Sequence, residues 1–320
     1  KQIHKDCFER EGIKVPEITV LESSPLNYRA RIQLTDGGFC KKSSNEIIRL
    51  DNCPVATDEI NAYLKSTPQN ERPRGRVHLF GDSRITGDKN TFIADEITSG
   101  AKDQRKTYRK NSGKIIKNRI PNHFAGTVFS PQNTCELKLL DKNVKFNVQG
   151  FFQSNMQLLE KTIAEVTYNL SGKNVLDMYA GSGTFSVFLA DKFEKTTLVE
   201  HNRDALVYAE ANMNGKNHET YGLSGEKWCK EHASLLIGRN GPFDAAVIDP
   251  PRSGMEKEVC RWLCSSKVFQ LRSVSCDPAT HARDAYFLIK SGYTLKRLYL
   301  LDFYPQTSHI ESLAYFENEN

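Results

Sequence analysis

From about residue 150 to the end of the chain, short apolar runs alternate with amphipathic stretches of helical length. NVLDMY precedes a helical stretch from about Phe185, TTLVE precedes Asp204 to Asn214, DAAVID precedes Met255 to Cys264, and LRSVS precedes Thr280 to Ser291. LKRLYLL then leads to a last strand within HIESLAYF. Strands separated by helices run parallel and are covered on both faces, because each helical crossover returns the chain over the sheet. The expected fold class is α/β, a doubly wound sheet occupying residues 150–320. Its third strand is the hardest to place, since the stretch 219–235 shows no clean period of two.

Residues 1–149 have a different texture. A short polar helix opens the chain, followed by strand-and-turn segments such as ITVLES, YRARIQL, RPRGRVHLFGD and NTFIADEITSG. A smaller, mainly β or α+β domain is expected there, with the first helix free to pack on the larger half. The two parts also differ in charge. Residues 1–150 carry 26 Lys/Arg against 18 Asp/Glu, leaving 18 against 21 for the remainder of a chain whose net charge is +5. A cationic front half suits a polyanion, since neutralising phosphates releases their counterions. The strongest candidate for such contact is the run 102–119, with Lys102, Arg105, Lys106, Arg109, Lys110, Lys114, Lys117 and Arg119 around Tyr108. Tyr28, Arg29 and Arg31 form a second candidate, although alternation in a half-buried strand explains them equally well.

No run of about 18 apolar residues is present, so no membrane partner is expected. The eight cysteines are scattered, without the paired spacing of a zinc site or the density of a secreted disulfide scaffold. Free thiols, a cytoplasmic location, a monomeric chain and no bound metal are the expectations.

The motifs cluster in the second half. In VLDMYAGSGTFS, Gly181 and Gly183 follow a strand and precede a helix, where glycine allows a sharp turn and the close approach of an adenosine-containing cofactor. A dinucleotide fingerprint has a third glycine where this chain has Ser186, which disfavours an NAD-linked oxidoreductase. Asp177 in the first strand and Glu200 after the second suit a cofactor held by ribose hydroxyls and an amino acid group. In DPPRSG, two prolines stiffen a turn that aims Asp249 into the crevice beyond the strand ends. Cys276, in SVSCDP, stands at another strand end before a helix, where positive potential favours a thiolate. Glu311, in SHIES, follows a turn containing Pro305 and is a candidate base.

Taken together, these segments resemble the RNA uracil-5 methyltransferase family, from YRAR near residue 28 to IES at 312 and most densely from 151 onward. The resemblance implies a Rossmann-like class I methyltransferase domain, S-adenosyl-L-methionine as cofactor and structured RNA, ribosomal or transfer, as partner. It implies that Gln153, Tyr179, Thr184, Glu200 and Asp249 bind the cofactor, that Cys276 is the nucleophile, that Glu311 is the base, and that Arg252 supports the site near the target base. The chemistry agrees with those residue types: carbon 5 of uracil becomes nucleophilic only after a thiolate adds to carbon 6, and a base must then remove the carbon 5 proton. Two positions depart from the family pattern: Ser273 replaces an aromatic residue, and Ser308 replaces a common His or Gly. Many members carry an oligonucleotide-binding barrel and a cysteine-rich iron–sulfur segment; Cys53 in NCPVA resembles the last cysteine of that cluster, and one thiol cannot hold a cluster. The competing readings are an RNA cytosine-5 methyltransferase, an adenine N6 methyltransferase, and a non-catalytic RNA-binding protein that retains the fold.

Overall fold

Burial patterns separate two kinds of strand. Ala245–Ile248 is buried at all four positions, whereas Arg31–Thr35 alternates between buried and open sides. The first pattern belongs to a sheet covered on both faces and the second to a sheet covered on one. The computed structural model describes residues 1–86, 91–95 and 133–318. The basic run 102–119 lies outside the described residues.

In chain order the elements are α1 (Gln2–Arg10), β1 (Ile18–Leu21), β2 (Arg31–Thr35), β3 (Phe39–Cys40), β4 (Ile47–Ile48), α2 (Asp58–Ser66), β5 (Arg76–Gly81), β6 (Thr91–Asp95), and the hairpin β7 (Thr134–Leu139) and β8 (Lys142–Asn147). There follow α3 (Met156–Val166), β9 (Gly172–Met178), α4 (Ser186–Leu189), β10 (Phe193–Val199), α5 (Arg203–Asn212), β11 (His218–Tyr221), α6 (Gly225–Glu231) and α7 (Ala233–Asn240). The chain closes with β12 (Ala245–Ile248), α8 (Lys257–Ser266), β13 (Gln270–Ser275), α9 (Pro278–Lys290), β14 (Tyr293–Leu301) and β15 (Glu311–Asn318).

Eight strands form one sheet in the order β1-β14-β15-β13-β12-β9-β10-β11. Every pairing in it is parallel except the two made by β15, which runs antiparallel to both β13 and β14. Side-chain parity sends alternate residues to two cores. Ala245 and Val247 join α3, α4, α5 and the β7–β8 hairpin on one face. Ala246 and Ile248 join α1, α6, α7, α8 and α9 on the other. Helices on both faces of a mostly parallel sheet make this the doubly wound α/β fold expected. A separate antiparallel sheet, β2-β5-β6, packs with α2 around Ile32, Leu34, Ile60, Leu64, Val77 and Leu79.

Several expectations are refined. The expected third strand exists as β11, a four-residue edge strand, and residues 225–240 are helical instead. The helix expected from about Phe185 is only the four residues of α4. Residues 2–21 belong to the large sheet layer, because β1 extends it beside β14 and α1 packs on α9. The β7–β8 hairpin shares the core of α3 and α5 rather than that of β2, so the expected boundary near residue 150 is crossed twice.

Candidate active site at the carboxyl ends of the strands

Register determines which residues can meet. Met178 pairs with both Val199 and Ile248, and Ile248 pairs with Ser273, so β9, β10, β12 and β13 end nearly level. The residues immediately beyond those ends are Tyr179, Glu200, Asp249 and Cys276. Glu311 comes from the opposite direction. It is the first residue of β15, and because β15 is antiparallel its start lies where its neighbours finish: Ser312 pairs with Ser275, and Glu311 with Leu301. Were β15 parallel to its neighbours, Glu311 would lie at the far edge of the sheet.

These groups share one electrostatic environment. Glu311 is 6 % exposed, and burial lifts its pKa to about 8; the charge of Asp249 adds to the lift and Arg252 opposes it. Burial likewise pushes Asp249 up to about 7, with Glu200 contributing. Fully buried Asp177 also reaches about 7 through burial, against a hydrogen bond from Ser186 Oγ at 2.5 Å. Three neighbouring carboxyl groups with raised pKa values hold protons near neutrality, a state typical of functional clusters.

The half-buried Cys276 thiol departs from the expected low-pKa thiolate. Burial raises its pKa, Glu311 and Asp249 raise it further, and only Arg252 pulls it down. The helix start is no help, because Asp277 caps it: its Oδ1 accepts from Ala279 N at 3.0 Å and Thr280 N at 2.9 Å. The cation available to the sulfur is Arg252, on the exposed proline turn. That turn is fastened from below by α9. Thr280 Oγ1 donates to Arg252 O at 3.1 Å, Arg283 donates to Ser253 O at 3.0 Å, and Asp284 accepts from Met255 N at 2.7 Å. Gly254 has φ +81°, and a Cβ there would collide with Arg283 and Asp284. These anchors were not foreseen from the sequence; the helix directly after the cysteine was the only signal.

The other candidates divide. Glu200 lies against the glycine loop: Oε2 accepts from Gly181 N at 2.9 Å and Oε1 from Asn202 N at 2.6 Å. Oε1 also lies 3.2 Å from Nδ1 of the exposed His201, and Oε2 retains a second acceptor site for a hydroxyl. Gly181 has φ +56° and nothing within 4 Å of the place a Cβ would occupy, so the loop leaves room for a ligand against its backbone. Thr184 is half-buried in the same loop. Tyr179 adopts φ +65°, but its hydroxyl is turned to Glu256, accepting from the backbone N–H at 3.2 Å. That hydroxyl is engaged within the protein and does not face the cluster. Gln153 sits two residues before Asn155, whose Nδ2 donates to Ser23 Oγ at 2.7 Å and to Phe303 O at 3.2 Å.

Of the front-half candidates, Arg29 reaches the site: its guanidinium stands 5.8 Å from the ring centroid of Tyr304. Burial raises the Tyr304 pKa, and the charge of Glu311 adds to it. Tyr28 and Arg31 act as ties, donating to Pro305 O and Val148 O respectively. Tyr304 was missed; it follows the last parallel strand, in the turn leading to Glu311.

S-adenosyl-L-methionine fits what is present. Among the described residues Gln153 Oε1 and Asp177 Oδ1 are buried acceptors without a hydrogen-bond partner, and the donors of a cofactor's ammonium and hydroxyl groups would satisfy such atoms. Among the described residues no group of three or more His, Cys, Asp or Glu could hold a metal ion.

A doubly wound sheet with a glycine loop, an acid after its second strand, and a cysteine and a glutamate at the same edge has the architecture of a class I methyltransferase. Residues 131–319 match the family model described as tRNA (Uracil-5-)-methyltransferase. An RNA methyltransferase of Treponema denticola is 36% identical over 337 residues, covering 98% of this chain and 72% of that protein. The 23S rRNA (uracil(1939)-C(5))-methyltransferase RlmD of Pseudomonas fluorescens is 28% identical, covering 91% of this chain and 66% of that protein. The crystal structure of the Pyrococcus abyssi tRNA (uracil-54, C5)-methyltransferase in complex with S-adenosyl-L-homocysteine superposes with a TM-score of 0.69 at 20% identity, over 98% of this chain and 81% of that one, which establishes the shared fold. The chain belongs to the tRNA (uracil-5-)-methyltransferase family. It is an S-adenosyl-L-methionine-dependent enzyme that methylates carbon 5 of uridine in RNA, and the cytosine-5, adenine N6 and non-catalytic readings fall away.

Proposed function

We propose that this enzyme works through a covalent adduct in which Cys276 is the nucleophile and Glu311 the base. The observation that carries the reading is the antiparallel course of β15, which delivers a buried glutamate to the strand end that bears the cysteine. The Cys276 thiolate bonds to carbon 6 of the uracil, and the electron pair of the carbon 5–carbon 6 double bond moves onto carbon 4 oxygen as an enolate. Carbon 5 then takes the methyl group that S-adenosyl-L-methionine supplies. Ionised Glu311 removes the carbon 5 proton, the double bond re-forms, and the sulfur leaves as thiolate. Glu200 is assigned to the ribose hydroxyls, Gln153 and Asp249 to the amino acid end and the target base, and Thr184 and the Tyr179 ring to the cofactor's flank. Arg252 stabilises the thiolate, offsetting the two carboxylates that oppose it. The target base must leave its stack to reach this edge, at roughly a few kcal/mol, so a loop or bulge suits it best.

The substrate assigned is a uridine of 23S ribosomal RNA, supported by the activity of the Pseudomonas fluorescens relative, whose match covers 91% of this chain. The basic run 102–119 is assigned to phosphate contact. One chain supplies every group named, as a monomer requires, and no described helix is long and apolar enough to cross a membrane; a cytoplasmic site of action follows from the RNA. The test uses methyl-labelled S-adenosyl-L-methionine with total RNA lacking 5-methyluridine. Cys276→Ala is expected to lose turnover by on the order of 10⁴-fold or more. Glu311→Gln is expected to accumulate label on an RNA–protein adduct that survives a denaturing gel. Label released freely by either variant defeats the assignment, and mapping the methylated uridine decides between ribosomal and transfer RNA.

A further inference from the structure

One buried polar network lies directly beneath the proposed nucleophile and base. His281, in the second turn of α9, is 2 % exposed; its Nδ1 is hydrogen-bonded to Ser312 Oγ at 2.5 Å and its Nε2 to Ser273 Oγ at 3.1 Å. Ser312 follows Glu311, and Ser273 lies three residues before Cys276. Ser273 and Ser312 sit on the α9 face of the sheet with Leu271, Ala314 and Phe316, while Val274 and Leu313 belong to the opposite core. By alternation Glu311 points away from α9, so His281 grips the backbone neighbour of the base and cannot touch substrate. Burial drives the His281 pKa down to about 3. The ring is therefore neutral, with one nitrogen donating and the other accepting, and the two hydroxyls complete the set. From above, Phe8 of α1 meets the imidazole edge-on at 5.6 Å between ring centroids.

Ser273 is small, and its hydroxyl meets an imidazole that comes from the helix on that face of the sheet. The histidine then joins three elements, β13, β15 and α9, at the level where Cys276 and Glu311 diverge from them. The same helix fastens the proline turn through Thr280, Arg283 and Asp284.

We infer that His281 is a positioning residue for the second half of the reaction: through Ser312 it holds Glu311 in register with the carbon 5 proton. The inference rests on Glu311 being the base. Cys276 is fixed independently by its covalent place between β13 and the capped start of α9, so loss of the His281 bonds loosens Glu311 more than the sulfur. Elimination, not adduct formation or methyl transfer, is the step that slows.

The test uses the full chain, methyl-labelled S-adenosyl-L-methionine and total RNA lacking 5-methyluridine, and reads the ratio of label in the denaturation-resistant adduct to label in free RNA. His281→Ala is expected to raise that ratio about tenfold and to lower kcat by a similar factor, with the KM for S-adenosyl-L-methionine within twofold of the parent. Ser312→Ala removes one hydroxyl only, keeps the packing, and is expected to shift the ratio in the same direction by a smaller factor. Phe8→Ala removes packing from the same ring and leaves both bonds; it is expected to lower Tm without moving the ratio. A parental ratio in both His281→Ala and Ser312→Ala, or an equal rise in Phe8→Ala, overturns the inference. Glu311→Gln is run alongside: if it accumulates no adduct, the base assignment itself fails and the inference falls with it, whereas adduct in Glu311→Gln alone sinks the His281 proposal and leaves the base intact.

Discussion

Two regions of this molecule bury charge, and they treat it in opposite ways. In the small N-terminal unit, Arg72 is 4 % exposed, and its guanidinium donates to four backbone carbonyls: Thr67 at 2.7 Å, Gly37 at 2.6 Å, Leu50 at 2.8 Å and Leu64 at 2.6 Å. Those carbonyls come from the segments that join β2 to β5, so a single cation closes the loops around α2. At the edge of the large sheet, Asp177, Asp249 and Glu311 are packed near one another with an exposed arginine among them, and Asp177 Oδ1 has no partner among the described residues. A satisfied buried charge serves architecture. A crowd of half-satisfied ones is tolerated because a ligand completes it.

Arg72→Met breaks the contrast from the structural side. Four carbonyls lose their donor at once, and the expected loss is about 4 kcal/mol of unfolding free energy. Urea unfolding measures it, and methyl transfer per folded molecule should stay near the parent value. Loss of activity without loss of stability would show that the unit around α2 does more than fold.

Glu311 offers an effect of comparable size, and its sign is opposite to that of an ordinary surface carboxylate. Its pKa is raised in the folded state, from 4.5 to about 8, so the folded protein binds its proton more tightly than the unfolded chain does. The associated stability is complete below about pH 4.5 and is lost as pH rises through about 8. Glu311→Gln does not titrate. The variant should therefore gain on the parent across this window, by about 5 kcal/mol at the top, with the gap constant above about pH 9. A gap independent of pH would mean that Glu311 ionises freely in the folded protein and that the site is wetter than its burial indicates.

Asp249→Asn separates binding from stability at the same edge. Burial holds the Asp249 carboxyl up at about 7, so removing its charge leaves Tm at pH 8 unchanged or higher. Methyl transfer should nonetheless fall by about 10²-fold, the usual scale for removing one oriented charge or hydrogen bond at a reacting centre. Equal losses in stability and turnover would place Asp249 with Arg72 as architecture.

The sequence revealed the chemistry of this edge more readily than its physics. DPPRSG, SVSCDP and SHIES identify Asp249, Cys276 and Glu311 because each motif is contiguous. The raised pKa of the Cys276 thiol was not legible, because its causes, burial first and then Glu311 and Asp249, arise from distant parts of the chain and Asp277 cancels the helix start locally. His281 fell within the expected helical stretch from Thr280 to Ser291, and no local pattern shows that its imidazole meets Ser273 and Ser312 on two strands of the sheet. Some omissions had signals. Cys135, Leu137 and Leu139 alternate along β7, and Met156, Leu159, Ile163 and Val166 keep helical spacing along α3. Orientation was the deeper gap, since no local pattern shows that β15 runs against its neighbours.

The smallest expected effect tests whether the open space beside the glycine loop serves a ligand. Gly181 holds φ +56° with open space where a side chain would begin, and its N–H donates to Glu200. Gly181→Ala introduces only the backbone strain of a left-handed residue, about 1 kcal/mol in the free protein. If the open space is the cofactor's, the added methyl group also excludes ligand, and S-adenosyl-L-methionine should bind more weakly by a factor larger than that strain alone explains, about tenfold or more by calorimetry. Arg72 has no counterpart to this behaviour, because nothing enters its cage. A Gly181→Ala protein that loses about 1 kcal/mol of stability and binds cofactor as tightly as the parent would show that the loop's backbone stands clear of the ligand, and the contrast between filled and waiting sites would then rest on the carboxyl groups alone.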